Sequence, residues 1–373
     1  FDYLGATCPS LLLEPSRTNL FPQSEYFSAV STGLQSWNYT DATATNNSTI
    51  SPQGVNNAAK LIEGSSNSRH SVWTNQTTTA SNNTISVFLK KGTRRYASIV
   101  TSDTTSWNTM VVVDLEEGII TSIFNKSGYV SVDKIENYGN GWYRVTSSIN
   151  GAYSGNAFYS RFNIQESATP SNPPSNGYQG NGTDYIYIFG AQFETNSSYA
   201  TSYIPTYGVS QTRAGEACYL QDTDVHSSDS GTIFFEVGDY KTNTSANGFN
   251  KILVFDEVAT TNLDNAIYFE EYAGNNTFLL RKGGSTLLQS TPNYQDLRGS
   301  KIAIKWSSQE AKIFIDGVLN NTYTGDASLD IQYFGFDNPY NGNIVSTIKM
   351  KQLLGFPTAL SDLDLAILTG ATT

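Results

Sequence analysis

Short runs of β-branched and aromatic residues, each closed by Gly or Asn, recur along this 373-residue chain and limit its folding options more than any other feature. Ile85–Lys90 ends at Lys91-Gly92, Ala97–Val100 follows, and Met110–Leu115 meets a Glu116-Glu117-Gly118 turn before Ile119–Ile123. Trp142–Ser148 alternates with period two after Gly139-Asn140-Gly141, a spacing that sends successive side chains to opposite faces of a strand. Tyr185–Gly190 is apolar almost throughout and suits a strand buried on both sides. Strands at these intervals predict antiparallel sandwiches.

Composition narrows the choice. Aromatic residues reach 13%, with 23 Tyr and 19 Phe, while charged residues are only 15%. The cores are therefore expected to consist of rings and branched aliphatics under a surface of Ser, Thr, Asn and Gly. The same profile excludes a long helical bundle or coiled coil. A formal net charge of −11 repels phosphate backbones, so nucleic acid is not an expected partner. No apolar stretch reaches the roughly 18 residues of a membrane-crossing helix, and no membrane insertion is expected. The chain starts at Phe1, with no charged segment leading into an apolar run before Cys8, and is expected to be a piece of a longer polypeptide.

After Tyr203 the texture changes. Ile204-Pro205-Thr206-Tyr207-Gly208 is a breaker cluster and Thr212–Asp229 is polar. A second strand series then runs through Thr232–Val237, Lys251–Phe255, Ala266–Glu270, Thr277–Arg281, Lys301–Trp306, Lys312–Ile315, Ile331–Phe336 and Thr347–Met350. Asp316-Gly317 is a strong hairpin signal. The expected organisation is all-β: a sandwich domain over 1–213, a linker over 214–229 and a second sandwich over 230–373. One short C-terminal helix is predicted, with Ser361 as N-cap, Asp364 in its first turn, and Leu363, Ile367 and Leu368 on the packed face.

Little catalytic chemistry is available. Only His70 and His226 offer imidazole bases, and both fall in polar segments expected to be solvated. Nucleophile-elbow, zinc-protease and phosphate-loop motifs do not occur. Paired carboxylates for sugar hydrolysis should share a strand face, but Glu236 and Asp239, like Glu270 and Glu271, have spacings that point them apart. Asp114, Glu116 and Glu117 straddle a turn. Binding is therefore expected, not catalysis. Sugars present an apolar C–H face to aromatic rings and hydroxyls to polar groups. Trp37, Trp73 and Trp107, set among polar residues, are the candidate carbohydrate platform, with core packing as the alternative for each. Trp142 and Trp306 lie within alternating strands and are assigned to the cores. Asp337 and Asn338 supply oxygen ligands suited to calcium, the one cofactor suggested, though without EF-hand spacing. Cys8 and Cys218 are either two small buried hydrophobes or one disulfide.

Several strings resemble virion-associated proteins of tailed phages: Pro9–Leu20 (PSLLLEPSRTNL), Asn140–Val145 (NGWYRV), Gly190–Glu194 (GAQFE), Ala200–Thr206 (ATSYIPT) and Thr212–Gly215 (TRAG). The resemblance spans about residues 1–215 and implies a jelly-roll domain like a carbohydrate-binding module. Residues 226–373 are similar to concanavalin A/laminin G-like domains through Ile302–Trp306, Ile313–Val318 and Leu360–Asp364. Together these imply a non-catalytic tail-fibre, tail-tip or head-fibre protein on the virion surface, attaching to host polysaccharide or glycan. Other virion proteins would be its partners, and a symmetric homo-oligomer, a trimer among the options, its assembly. The alternatives are a polysaccharide lyase or hydrolase, or its accessory binding module, and a purely structural decoration protein.

Overall fold

The structure is a computed structural model that describes every residue except 1–10, 29–36, 152, 154–156, 171–176, 217, 222–229, 243–249, 257–262, 273–274, 291–296, 337–345 and 371–373. Two compact units divide the chain: Arg17–Arg213, and Phe1–Ser16 together with Ala214–Thr373.

In the Arg17–Arg213 unit two six-stranded antiparallel sheets face each other. The first runs, in spatial order, Ile119–Asn125, Trp107–Asp114, Tyr96–Ser102, Ala157–Gln165, His70–Thr77 and Asn38–Thr40. The second runs Val130–Asn137, Trp142–Asn150, Asn82–Lys91, Tyr185–Thr195, Ala58–Glu63 and Ala42–Thr49. Alternate residues of both, among them Val87, Ile99, Val111, Phe162, Ile186 and Phe193, close one buried core. Trp142 is buried, as its alternating strand predicts, and its indole N–H donates to the Ile50 carbonyl.

Four of the five strings that carry the phage resemblance, all but Thr212–Gly215, meet in one buried hydrogen-bond network. Asn19 donates to the carbonyls of Ala191 and Ile204 and accepts from the N–H groups of Phe21 and Phe193. Gln192 accepts from the Ile204 N–H, and Glu194 from the Thr201 N–H and hydroxyl. Arg144 donates to the Thr201 carbonyl and the Ser86 hydroxyl. Gly190 has φ of +61° at a bulge between Phe189 and Gln192, where an added Cβ would lie 2.8 Å from Phe88. These residues tie the chain exit to the second sheet.

The other unit is also a sandwich of two six-stranded antiparallel sheets. One orders Leu11–Leu13, Ser346–Phe356, Gly231–Thr242, Lys301–Trp306, Glu310–Ile315 and Val318–Thr324. Its partner orders Tyr219–Gln221, Tyr333–Phe336, Asn250–Asp256, Ala266–Tyr272, Asn275–Lys282 and Ser285–Gln289. Ile233, Phe235, Phe269, Phe278, Ile304 and Trp306 lead its core. Asp316 and Gly317 both have positive φ and join two paired strands, the turn their sequence predicts.

Two expected boundaries are corrected. Leu11–Leu13 pairs with Ser346–Phe356, and Leu13 is buried in the second core, so this segment of the expected 1–213 domain is an edge strand of the other sandwich. The expected 214–229 linker contributes a strand as well, Tyr219–Gln221. The helix Asp362–Thr369 is capped by Ser361, as predicted, but its packed face differs. Leu365 and Thr369 are buried and Leu368 packs beside them, as expected of Leu368, whereas Leu363 is 69% and Ile367 43% exposed. Leu365 seats on Phe234, Ala303 and Phe314 of the sheet's outward face, and that choice of stripe turns Leu363 to solvent. No described helix is long and apolar enough to cross a membrane.

Candidate functional site

Alternation along three neighbouring strands of the first sheet builds a second, outward surface. In Ala157–Gln165 the core takes Phe158, Phe162 and Ile164, which sends Tyr159, Arg161, Asn163 and Gln165 to the other side. In His70–Thr77 the core takes Val72, leaving Ser71 and Trp73 outward. In Tyr96–Ser102 it takes Ala97 and Ile99, leaving Ser98, Val100 and Ser102.

The register sets these residues in rows. Ser71, Asn163 and Ser98 stand side by side; so do Trp73, Arg161 and Val100; and so do Asn75, Tyr159, Ser102 and Trp107. Toward one edge the same face is apolar, with Val100, Met110, Val112 and Phe124 in a cluster of their own. There the hydroxyls of Thr121 and Ser122 donate to the Ala168 carbonyl and hold the segment that follows Ala157–Gln165.

The remainder of the face is polar and incompletely bonded. Asn163 and Gln165 both donate to the Ser98 hydroxyl, at 3.1 and 2.8 Å. Ser71 Oγ, Trp73 Nε1, Arg161 Nη1 and Asn163 Oδ1 are buried atoms with no hydrogen-bond partner among the described residues. Ser71 and Asn163 are 0% and 2% exposed, while Trp73, Tyr159 and Trp107 are partly exposed. The Arg161 guanidinium carbon lies 4.7 Å from the centre of the Trp73 ring, which is 6.1 Å from that of Tyr159. Burial, and next the positive charge of Arg69, draws the Arg161 guanidinium down to about 10, so it remains a cation at neutral pH. Groups of this kind cost about 1–3 kcal/mol each when left unbonded, and their concentration on one face calls for an external partner.

Two of the three proposed platform tryptophans share this face. Trp73 and Trp107 are separated by three strand spacings, about 14 Å. Trp37 does not join them. It is 2% exposed and wedged among Phe21, Phe27 and Phe162, and its indole N–H donates to the Gln23 carbonyl. The surrounding phenylalanines enclose the indole, so no ring face is left for a sugar. His70, expected in a solvated loop, is instead fully buried on a strand, with Nδ1 2.7 Å from the Asp41 carbonyl and Nε2 3.2 Å from the Tyr178 carbonyl.

Asp337 and Asn338, Cys8 and His226 lie outside the described residues. Cys218 is half-buried against the second core, and burial raises its thiol. Among the described residues no group of three or more His, Cys, Asp or Glu is placed to hold a metal. Sequence analysis passed over Ser71, Tyr159, Arg161 and Asn163. The signal was present: Phe158, Phe162 and Ile164 alternate with Tyr159, Arg161, Asn163 and Gln165.

The sequence matches no protein-family model and no curated protein. Among solved structures, the chain is similar to the CBM40 module of a Ruminococcus gnavus IT-sialidase bound to α2,3-sialyllactose, with 20% identity over 39% of this chain and 84% of that one, at a TM-score of 0.29. The mouse laminin α1 chain domains LG4-5 match at 11% identity over 90% and 95%, with a TM-score of 0.27. The botulinum neurotoxin serotype D binding domain matches at 15% over 42% and 40%, with a TM-score of 0.32. At such TM-scores none of these likenesses transfers a ligand or a residue to this chain.

Proposed function

We propose that the Arg17–Arg213 sandwich binds glycan without catalysis, through the outward face of its first sheet, and that the chain serves as an attachment protein on a phage virion. One observation carries the binding: the partly exposed rings of Trp73, Tyr159 and Trp107 lie on one sheet face beside buried, unpartnered polar atoms of Ser71, Trp73, Arg161 and Asn163. Rings in two adjacent rows of one face suit the C–H faces of successive sugars, and the unpartnered amide, hydroxyl, indole and guanidinium groups suit their oxygens. The working groups at the centre of the face are not carboxylates, which favours a binder over a hydrolase using paired acids. The virion setting rests on the resemblance of the sequence strings alone.

The test is a host-glycan array probed with the full chain, alongside a reducing-end and unsaturated-product assay on the glycans that bind. Trp73→Ala and Tyr159→Ala should each weaken binding about tenfold, equivalent to about 1.4 kcal/mol. Undiminished binding in both variants, or product release by the wild-type chain, overturns the proposal.

A further inference from the structure

Charge on this face is out of character for the chain. Acidic residues outnumber basic ones by 33 to 22. Other arginines of the same sandwich show what such a chain ordinarily does with a guanidinium. Arg94 holds Glu63 through two bonds of 2.8 Å, and Arg95 holds Asp114 at 2.6 Å. Arg144, buried, donates to a hydroxyl and a carbonyl. Arg161 and Arg69 do none of this: neither forms an ion pair or a hydrogen bond with the described residues. Arg69 directly precedes the strand His70–Thr77, on the alternation that turns Ser71 and Trp73 outward, and its charge adds to the burial that lowers the Arg161 guanidinium.

Two cations sharing one region, one of them with a buried and unpartnered Nη1, are unfavourable unless an anion joins them. The planar guanidinium fork fits a carboxylate better than any neutral sugar group. Around it, Trp73 Nε1 is a free donor, Asn163 Oδ1 a free acceptor and Ser71 Oγ either, the complement of sugar hydroxyls.

Resting on the glycan-binding reading above, we propose that the Trp73–Arg161 row seats a carboxylate-bearing sugar residue, with Arg161 and Arg69 on the carboxylate and Trp73, Asn163 and Ser71 on adjacent hydroxyls. The glycan recognised is therefore acidic, despite the negative charge of the chain as a whole.

The experiment compares full-chain binding to uronic-acid- and sialic-acid-bearing oligosaccharides with binding to the same oligosaccharides after their carboxyl groups are reduced to alcohols. Titration calorimetry should show at least one acidic form bound tenfold or more tighter than its reduced counterpart. Arg161→Gln should erase that ratio, and Arg161→Lys should restore part of it. Because Arg161 has no ion pair or hydrogen bond to lose in the free protein, only its stacking on Trp73, Arg161→Gln should change the melting temperature little. Equal binding of acidic and reduced glycans, with no effect of Arg161→Gln, overturns the acidic inference and leaves the glycan reading standing. Binding of neither form overturns both. An Arg161→Gln chain that melts lower and also loses neutral-glycan binding shows a structural arginine, and likewise overturns the inference.

Discussion

Asn19 has no exposed surface, and its side chain completes four hydrogen bonds to backbone groups in three segments. Asn19→Ala would leave those groups unsatisfied in the interior, so urea denaturation of the full chain should show a loss of about 3 kcal/mol or more for the Arg17–Arg213 unit. Arg144, Gln192, Glu194 and Thr201 belong to the same network. The strings that made the sequence look familiar are thus structural, and this is why they point to a fold and not to a ligand. Ionised residues make a second prediction. Burial alone would raise the Glu63 carboxyl, but the Arg94 guanidinium, the Asn181 N–H and the Tyr178 hydroxyl outweigh it and hold it below the usual range. Burial is likewise outweighed at Asp114 by Arg95 and by the N–H groups of Glu116 and Glu117. A carboxyl depressed in the folded state stabilises fully above its unfolded value, near 4, and loses that contribution as pH falls toward its folded value. Stability of this unit should therefore fall below about pH 5. Glu63→Gln should cost about 1–3 kcal/mol at pH 7, by leaving Arg94 only its pairing with Asp184, and should flatten the acid dependence. An unchanged acid slope in Glu63→Gln would assign the loss to other groups.

The C-terminal helix is an element whose existence was legible and whose orientation was not. Ser361 accepts from the Asp364 N–H at 3.1 Å and Gly370 closes the last turn at φ +118°, both recognisable end signals. With Leu363, Leu365, Ile367 and Leu368 all apolar, the sequence offers more than one packed stripe. The outward Phe234, Ala303 and Phe314 of the sheet beneath select the one through Leu365. Lys305 and Lys312 fix the same rotation by pairing with Asp362 at 2.6 and 2.7 Å. Leu365→Ala should cost about 2–5 kcal/mol, whereas Leu363→Ala should stay within about 0.5 kcal/mol, as read from chemical denaturation of the two variants. Equal effects would place the wrong stripe on the sheet. Strand elements divide in a similar way. Runs rich in branched aliphatics, such as Asn82–Lys91 and Lys301–Trp306, announce themselves; His70–Thr77 and Ala157–Gln165 do not, because their outward positions are Trp, Tyr, Arg, Asn and Ser. The strands hardest to find are those whose outward side chains make up the candidate site.

On the scale of the whole molecule, the chain begins in one sandwich, builds the other, and returns. Leu11–Leu13 forms the edge next to Ser346–Phe356, so residues more than three hundred positions apart share a ladder. Removing residues 1–16 should speed amide exchange in peptides covering Ser346–Phe356, while those covering Tyr185–Thr195 keep their protection. Unaltered exchange at both would show that the edge strand contributes nothing to the second sandwich. The sequence by itself determined that the chain is all-β and where most strands and turns lie, because strand period, turn residues and composition are local properties. Tertiary structure alone decided that Trp37 is core while Trp73 and Trp107 share a face, that Leu11–Leu13 belongs to the far sandwich, and that Arg161 stands beside Trp73 without an acid. Each of these depends on which strands become neighbours and in what register, and pairing across long sequence separations is set by the closure of a common core, which no local pattern encodes.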